Sequence, residues 1–288
     1  MTEINTVMVV GAGQMGGEIA ALAAYSGYNV LLHDIQPAIL QQSMSCIKET
    51  LTSNISSHKS TDIKGNTILD KIVPSDSLQD SVHCDFIIEA ATENLTIKQQ
   101  IFNTLSYYIT HQTIIASNTS SLSISAIASV TDCPDRVIGM HFMNPVSEIT
   151  LVEIIKGFKT SDNTNEITKQ FAISLNRHPI EVNDSPGFVS NRLIMPMINE
   201  AVICVFDGVA DVQSVDKIMQ LGMHHPIGPL KLADMIGLDT CLSIMEILHR
   251  EFNDPKFRPC PLLRNMVKAG KLGRKSGEGF YSYEEGSI

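Results

Sequence analysis

The sequence predicts an α/β protein with a doubly wound, mostly parallel Rossmann-type sheet and a second, all-helical C-terminal domain. A glycine-rich turn, with Gly11, Gly13 and Gly16, joins a short apolar strand to a helix. Strand-like and helix-like segments then alternate to about residue 185, which is typical of a parallel sheet covered by helices. From residue 186 onward the apolar residues have helical spacing.

Composition limits the classes of function. The chain has 288 residues, 43% of them hydrophobic, which is enough for two domains, 1–185 and 186–288. Its net charge of −10 argues against nucleic acid or an anionic membrane surface as a partner. No apolar run approaches the roughly 20 residues that span a bilayer. The six cysteines have no metal-ligand spacing. We expect a cytoplasmic protein with reduced cysteines and no bound metal.

The first 34 residues predict a nucleotide-binding βαβ unit, with strands at 7–10 and 30–34 around a helix at 16–26. The glycines allow a tight turn and a close approach of a pyrophosphate to the helix N-terminus. Asp34, about 20 residues further on, suits the ribose hydroxyls, and no arginine follows it to bind a 2′-phosphate. The predicted cofactor is therefore NAD, held by Gly11, Gly13, Gln14, Met15, Gly16 and Asp34.

The remaining elements follow in order. Further strands are predicted at 85–88, 113–116, 136–140, 151–155 and 179–182. Residues 36–70 are polar and predict a solvent-facing helical excursion. In the second domain, helices are predicted at 186–206, 211–221, 238–252 and 261–269, the first with Ser185 as its N-cap.

Two polar positions at strand ends are candidates for chemistry. His141 follows the strand at 136–140, precedes the Asn144-Pro145 turn, and has Glu153 on the next strand. A carboxylate beside a histidine orients the ring, so His141 is a candidate general base. Ser120 follows the strand at 113–116, where it is either a ligand-binding residue or a helix cap.

Together these segments resemble the L-3-hydroxyacyl-CoA dehydrogenase family, and most of all its single-function bacterial members that act on 3-hydroxybutyryl-CoA. The resemblance spans essentially the whole chain. The motifs that carry it are GAGQMG from Gly11, EAATE from Glu89 with Lys98, SNTSS from Ser117, HFMNP from His141 with Glu153, PGFVSNR from Pro186, GMHHPIGP from Gly222, IGLDT from Ile236 and LGRKSGEGFY from Leu272.

The resemblance implies roles for individual residues. His141 would be the general base, oriented by Glu153, and Ser120 and Asn191 would bind the substrate oxygen. Because Asn191 belongs to the second domain, the active site is expected between the domains. The other implied positions are Asn144 at the substrate and Ala91, Glu93, Lys98 and Asn118 at the cofactor. For Lys98, an ordinary exposed helix lysine is the alternative.

The expected reaction is NAD-dependent oxidation of (S)-3-hydroxyacyl-CoA, and its reverse, by a homodimer that pairs through the helical domain. Two alternatives stay open: a β-hydroxyacid dehydrogenase acting on free acids, and a non-catalytic NAD-binding relative of the crystallin kind. The run Val146-Ser-Glu-Ile-Thr150 is more polar than the family pattern, which leaves the acyl-chain length open. In the excursion, Lys48, Lys59 and Lys64 are candidates for contacts with the CoA phosphates.

Overall fold

The computed structural model of the chain describes residues 4–57 and 68–283. The chain divides into two compact units, Met1–Ser185 and Pro186–Ile288. The first unit contains the sheet, and all of its described strands are β1 (Thr6–Val10), β2 (Asn29–His33), β3 (Ile72–Ser75), β4 (Phe86–Glu89), β5 (Ile114–Ser117), β6 (Val137–Phe142), β7 (Leu151–Lys156) and β8 (His178–Asn183).

The strands form one sheet in the order β3-β2-β1-β4-β5-β6-β7-β8. Every neighbouring pair is parallel except β6 and β7, which are antiparallel. The chain leaves β1 toward β2 and β3 on one side, and returns to β4 on the other. This reversal between β1 and β4 is the point at which doubly wound sheets bind ligands. The predicted fold class is confirmed.

Two details of the sheet differ from the prediction. β3 was not predicted, because it has only four residues, contains Pro74 and lies at the edge of the sheet with its middle residues exposed. The predicted end of β6 at residue 140 was wrong. β6 continues to Phe142 because its last residues pair with β7, so His141 lies within the strand.

Five helices cover the described sheet: α1 (Gln14–Tyr25), α2 (Pro37–Ser57), α3 (Leu95–Tyr108), α4 (Ile124–Ala128) and α5 (Asp162–Ser174). α2 occupies the first part of the predicted excursion, and Lys48 lies on it, exposed. Lys59 and Lys64 lie outside the described residues. The cap of α4 is Ser123, whose hydroxyl accepts a hydrogen bond from the Ala126 N–H.

Small residues bring α1 close to the sheet. Ala20, Ala23 and Ala24 are buried with Ile19 in one cluster with β1, β2 and β4. Because alanine side chains are short, the helix axis can approach the strands closely, and this positions the helix N-terminus at the end of β1. Apolar side chains from β6, β7 and α5 extend the same core.

The second unit is helical in its described residues, with α6 (Ser190–Phe206), α7 (Val212–Met223), α8 (Pro229–Ile236), α9 (Leu238–Phe252) and α10 (Pro261–Lys268). The predicted start at residue 186 was wrong, because Gly187 (φ 73°) and Phe188 (φ 50°) have left-handed backbone conformations. α7 continues through Gly222 and ends at Met223, and its C-cap His224 has a φ of 58°. α8 was not predicted, because its eight residues follow a turn rich in glycine and proline.

Two buried carboxylates explain the sequence Gly279-Phe-Tyr281. Asp234 accepts hydrogen bonds from the Phe280 and Tyr281 N–H groups, both at 2.9 Å, and Asp216 accepts one from the Tyr281 hydroxyl at 2.8 Å. A Cβ atom at Gly279 would lie 2.1 Å from the Asp234 carboxylate. The glycine is therefore needed for the close approach of this segment to α8. Burial raises the pKa of Asp234.

None of the helices in the described ranges combines the length and the apolar character that a membrane crossing requires. All six cysteines have free thiols, and they differ in exposure: Cys46 is exposed, whereas Cys84, Cys133, Cys241 and Cys260 are buried.

This difference predicts a selective reaction with iodoacetamide. Burial raises the pKa of Cys84 and of Cys241 to about 12, so at pH 8 both remain protonated thiols with little reactivity. In the native protein Cys46 should be alkylated first, with Cys84 and Cys241 modified only after unfolding. Peptide mass mapping over time measures this, with Cys46→Ser as the control. Equal rates at the three sites would contradict the burial described above.

Candidate active site

The glycine turn lies at the carboxyl end of β1, at the reversal point of the sheet. Gly11 has a φ of 101°, and a Cβ atom there would lie 2.7 Å from the Ala90 and Ala91 backbone that follows β4. A Cβ atom at Gly16 would lie 1.8 Å from the Gly11 carbonyl oxygen. Gly11 and Gly16 are therefore required by the fold itself. Gln14 and Met15 form the first turn of α1.

Gly13 differs from these two glycines. A Cβ atom at this position would meet no atom within 4 Å, and the backbone has an ordinary φ of −64°. Gly13 precedes α1, whose first N–H groups carry the positive end of the helix dipole. The absence of a side chain at Gly13 thus leaves the helix N-terminus open to an anion, as a bound pyrophosphate requires.

Asp34 follows β2 and binds two backbone groups. Its Oδ2 accepts a hydrogen bond from the Ala12 N–H at 2.8 Å, and its Oδ1 accepts one from the Gln36 N–H at 2.9 Å. The carboxylate therefore stabilises the glycine turn from the neighbouring strand. The predicted contact of Asp34 with ribose hydroxyls stays a prediction.

His141 and Glu153 face each other directly across the antiparallel pair β6 and β7. The distance from His141 Nδ1 to Glu153 Oε2 is 2.9 Å, and both side chains are buried. An ionised carboxylate only accepts hydrogen bonds, so the Nδ1–H group donates and Nε2 is left as the ring atom that accepts a proton. The structure thus brings together the two residues predicted to form the base.

Glu93 organises the loop that contains Ser120. Its Oε1 accepts hydrogen bonds from the Thr119 hydroxyl at 2.6 Å, from the Ser120 N–H at 2.9 Å and from the Ser121 N–H at 3.2 Å. The Ser120 hydroxyl lies 3.2 Å from the same oxygen. Ser120 is thus held in a loop after β5, and the helix cap nearby is Ser123 instead.

Lys98 is buried, which rules out the exposed helix lysine that the sequence left open. Its Nζ donates to both oxygens of Glu89, at 2.8 and 2.9 Å, and lies 3.6 Å from Glu93 Oε2. Lys98 is 1% exposed and Glu89 is 0% exposed. A buried pair needs such close contacts to offset the loss of hydration. Lys98 therefore links the end of β4 to the Glu93 carboxylate.

Glu89 is a residue for which the sequence predicted no role. Besides Lys98, it accepts hydrogen bonds from the Ala91 N–H at 2.8 Å and from the Ser117 hydroxyl at 2.6 Å. The signal in the sequence was a carboxylate that ends an apolar strand, because charged residues are almost never fully buried without a partner. Glu89 joins the loop after β4 to the loop after β5.

Asn118 and Asn144 are the predicted site asparagines of the first unit, and both make contacts at the segment around His141. Asn118 Oδ1 accepts a hydrogen bond from the Phe142 N–H at 2.8 Å. Asn144 Oδ1 lies 3.4 Å from Gln14 Nε2, so the segment after His141 approaches the first turn of α1. Asn191 lies in the second unit, in the first turn of α6, and is 8% exposed. Its predicted contact with the substrate stays a prediction.

Comparisons with known proteins show the family of the chain. The family model described as "3-hydroxyacyl-CoA dehydrogenase, NAD binding domain" matches residues 6–185. The model described as "3-hydroxyacyl-CoA dehydrogenase, C-terminal domain" matches residues 187–283. The chain belongs to the 3-hydroxyacyl-CoA dehydrogenase family.

Individual relatives are similar over more than nine-tenths of their length. A probable 3-hydroxybutyryl-CoA dehydrogenase of Bacillus subtilis is 50% identical over 283 residues, which cover 98% of this chain and 99% of that protein. The human mitochondrial hydroxyacyl-coenzyme A dehydrogenase is 38% identical over 288 residues, which cover 98% of this chain and 92% of that protein. The crystal structure of (S)-3-hydroxybutyryl-CoA dehydrogenase from Ralstonia eutropha has a TM-score of 0.94 at 47% identity, covering 98% of this chain and 100% of that one.

As a 3-hydroxyacyl-CoA dehydrogenase the chain is an oxidoreductase that uses NAD, and its residues fit this cofactor. The space at Gly13 and the α1 N-terminus suit a pyrophosphate. Because β1 and β4 are neighbours at the point where the strand order reverses, the turns that follow them lie side by side. In the described part of the chain, no group of three or more His, Cys, Asp or Glu side chains could hold a metal ion.

The difference between the glycines predicts that Gly13→Ala will fold and lose cofactor affinity. The added methyl group meets no protein atom but occupies the space that a pyrophosphate needs. We expect an unchanged melting temperature and at least about a tenfold weaker NADH affinity, which corresponds to about 1.4 kcal/mol. Fluorescence titration with NADH measures the affinity. Gly222→Ala, an open helical position in α7, should leave it unchanged. Full NADH affinity in Gly13→Ala would refute this interpretation.

Proposed function

We propose that the chain oxidises (S)-3-hydroxyacyl-CoA to 3-oxoacyl-CoA with NAD, and catalyses the reverse reaction, with the hydroxybutyryl ester as the main substrate. The observation that carries the proposal is the buried pair of His141 and Glu153, with a distance of 2.9 Å from Nδ1 to Oε2. The names and the similarity of the relatives support the four-carbon substrate. NAD supplies the hydride acceptor when it is bound.

In the proposed mechanism His141 takes the proton of the substrate hydroxyl at Nε2. Glu153 keeps the proton on Nδ1 and stabilises the positive charge that the ring gains. In the reverse direction the same ring returns the proton to the oxygen of the 3-oxo group. Burial of the pair strengthens the interaction between the carboxylate and the charged ring.

Ser120 and Asn191 are the residues that we propose to hold the substrate oxygen. The position of Ser120 is supported by three contacts of its loop with Glu93. Asn144 would restrain the segment after His141 and contact the substrate. Ala91, Glu93, Lys98 and Asn118 are proposed to shape the cofactor side. Because Lys98 is buried and bound to Glu89, its contribution there would be electrostatic.

The CoA moiety is proposed to extend along α2. A cleft of about 390 Å³ lies between α1 and α2, and Gly13, Gln14, Ser43, Cys46 and Ile47 are among the residues that line it. Lys48 lies on the exposed side of α2 and is a candidate for a contact with a CoA phosphate. Apolar lining residues with a cation nearby suit the pantetheine chain and the phosphates of CoA.

His141→Gln tests the proposed base. Glutamine has no basic nitrogen, so kcat for (S)-3-hydroxybutyryl-CoA should fall on the order of 10² to 10⁴-fold. NADH affinity should stay unchanged, because the glycine turn and Asp34 are intact. Steady-state kinetics and NADH titration measure the two effects. His111→Gln, at an exposed position, is the matched control and should retain wild-type kinetics. Near-wild-type turnover in His141→Gln would refute the assignment.

The same kinetic assay separates the alternatives. A β-hydroxyacid dehydrogenase would oxidise free 3-hydroxyacids and use a lysine base, whereas position 191 of this chain is an asparagine. A non-catalytic relative would bind NADH and turn over no acyl-CoA of any length. We expect the highest kcat/KM with the four-carbon CoA ester and NAD, and much lower values with free acids or NADP.

We propose that the chain forms a homodimer through its helical unit. Leu221 (79% exposed) and Met223 (62%) on α7, with Val209 (74%) before it, are large apolar side chains on the surface of this unit. Large exposed apolar patches mark interaction sites.

Leu221→Glu should weaken the proposed dimer, because a charge at the interface would lose its hydration. Sedimentation velocity should show a dimer of about twice 31.6 kDa for the wild type and a shift toward the monomer for the variant. Tyr107→Glu, at a 73% exposed position of α3 in the first unit, is the control. A monomeric wild type would refute the proposal.

A further inference from the structure

The loop between the strands of His141 and Glu153 is bound at its midpoint by two side chains of opposite charge. Val146 is 1% exposed. Its N–H donates to Glu18 Oε2 at 2.7 Å, and its carbonyl oxygen accepts from Arg177 Nη2 at 3.0 Å. Both main-chain polar groups of this buried residue are thus satisfied by charged side chains.

Arg177 is an unusual residue at this position. It is 8% exposed and precedes β8, and its guanidinium makes one further hydrogen bond, from Nη1 to the Asn176 carbonyl oxygen at 3.3 Å. The Nε–H group has no hydrogen-bond partner. Burial lowers the pKa of this guanidinium. A buried guanidinium whose donors are only partly satisfied, and only by carbonyl oxygens, lowers the stability of the fold. The contact with Val146 therefore points to a role at the site.

Glu18 binds Val146 from α1, the helix that begins at the glycine turn. Its Oε1 lies 3.4 Å from Gln14 Nε2, which in turn lies 3.4 Å from Asn144 Oδ1. The loop of residues 143–150 is therefore joined to the cofactor-binding helix on one side and to β8 on the other.

The position of this loop matters because it connects two strands whose register defines the site. His141 and Glu153 are opposite each other, and a shift by one residue would turn Glu153 to the other face of the sheet. Smaller shifts would lengthen the hydrogen bond between them. Since residues 147–150 are exposed, Val146 is the buried position of the loop at which it can be held.

We propose that Glu18 and Arg177 are positioning residues that fix Val146 and so hold His141 and Glu153 in the catalytic register. The pair also joins the catalytic loop to the helix at the dinucleotide site. This inference rests on the proposed function, since the register matters for turnover only if His141 is the base.

The first test compares Arg177→Met with Arg177→Lys. Methionine keeps the apolar stem and removes the donors, so kcat should fall roughly 10- to 100-fold while NADH affinity stays within about twofold, as expected for a misplaced catalytic group. Lysine can donate to the Val146 carbonyl and should restore most of kcat. Glu18→Ala removes the acceptor of the Val146 N–H and should lower kcat, whereas Glu18→Gln keeps an acceptor oxygen and should retain most of it. Because Glu18 is partly exposed, this second pair keeps the test valid if Arg177→Met does not fold.

Arg136→Met is the matched control. Arg136 also donates to backbone carbonyls, those of Thr110 and Thr113, at 2.7 and 2.8 Å, and it lies away from the loop. Its substitution should lower the melting temperature and leave kcat of the folded protein unchanged. If Arg177→Met and Glu18→Ala behave in the same way as this control, the positioning role is refuted.

A second readout does not depend on turnover. In ¹⁵N-histidine-labelled protein, an Nδ1–H group bound to a carboxylate gives a downfield proton signal, assigned to His141 by its loss in His141→Gln. The signal should weaken or move in Arg177→Met and Glu18→Ala, and persist in Arg177→Lys and Arg136→Met. A wild type without activity on hydroxyacyl-CoA would refute the proposed function alone. An unchanged histidine signal in both Arg177→Met and Glu18→Ala would refute the positioning proposal alone.

Discussion

The antiparallel pairing of β6 with β7 is the constraint on which the candidate site depends. All other neighbouring strands are parallel, so the ends of β1, β4 and β5 bring their loops to one edge of the sheet. By turning back at this edge, the chain places Glu153 opposite His141, twelve residues later in sequence. If β7 were parallel to β6, a long crossover connection would separate the two strands in sequence. The short hairpin instead supplies both members of the proposed base pair, His141 and Glu153, from one local segment.

Buried charge is the second principle of the site. Glu89, Lys98, His141 and Glu153 are all nearly inaccessible to solvent, and each has a charged or ionisable partner at 2.8 or 2.9 Å. Removing such groups from water is costly, and close hydrogen bonds offset the cost. The result is a connected set of loops: Glu89 joins the loops after β4 and β5, and Glu93 holds the backbone of Ser120 and Ser121. Such contacts suit a dehydrogenase, because hydride transfer depends on the distance between donor and acceptor.

The loop of residues 143–150 combines a buried middle with an exposed second half. Its ends belong to the strands of His141 and Glu153, and its middle is bound through Val146. Ser147, Glu148, Ile149 and Thr150 are exposed, and this is the run that left the acyl-chain length open in the sequence analysis. Change can accumulate at these positions without disturbing the register of His141 and Glu153, because their side chains are not part of the contacts that hold Val146.

The amino-acid sequence by itself determined the fold class, the nucleotide-binding turn, the family and the pairing of His141 with Glu153, because these depend on local spacing and on ordered motifs. It did not reveal β3, the start of α6 at Ser190 or the end of β6, since edge pairing, left-handed backbone at Gly187 and Phe188, and a cross-strand ladder are set by contacts between distant segments. The burial of Lys98 and the roles of Glu89, Glu18 and Arg177 were decided only by the tertiary structure. The sequence around a charged residue does not show whether its side chain is solvated or buried. Only the fold brings a partner from a distant segment to within about 3 Å.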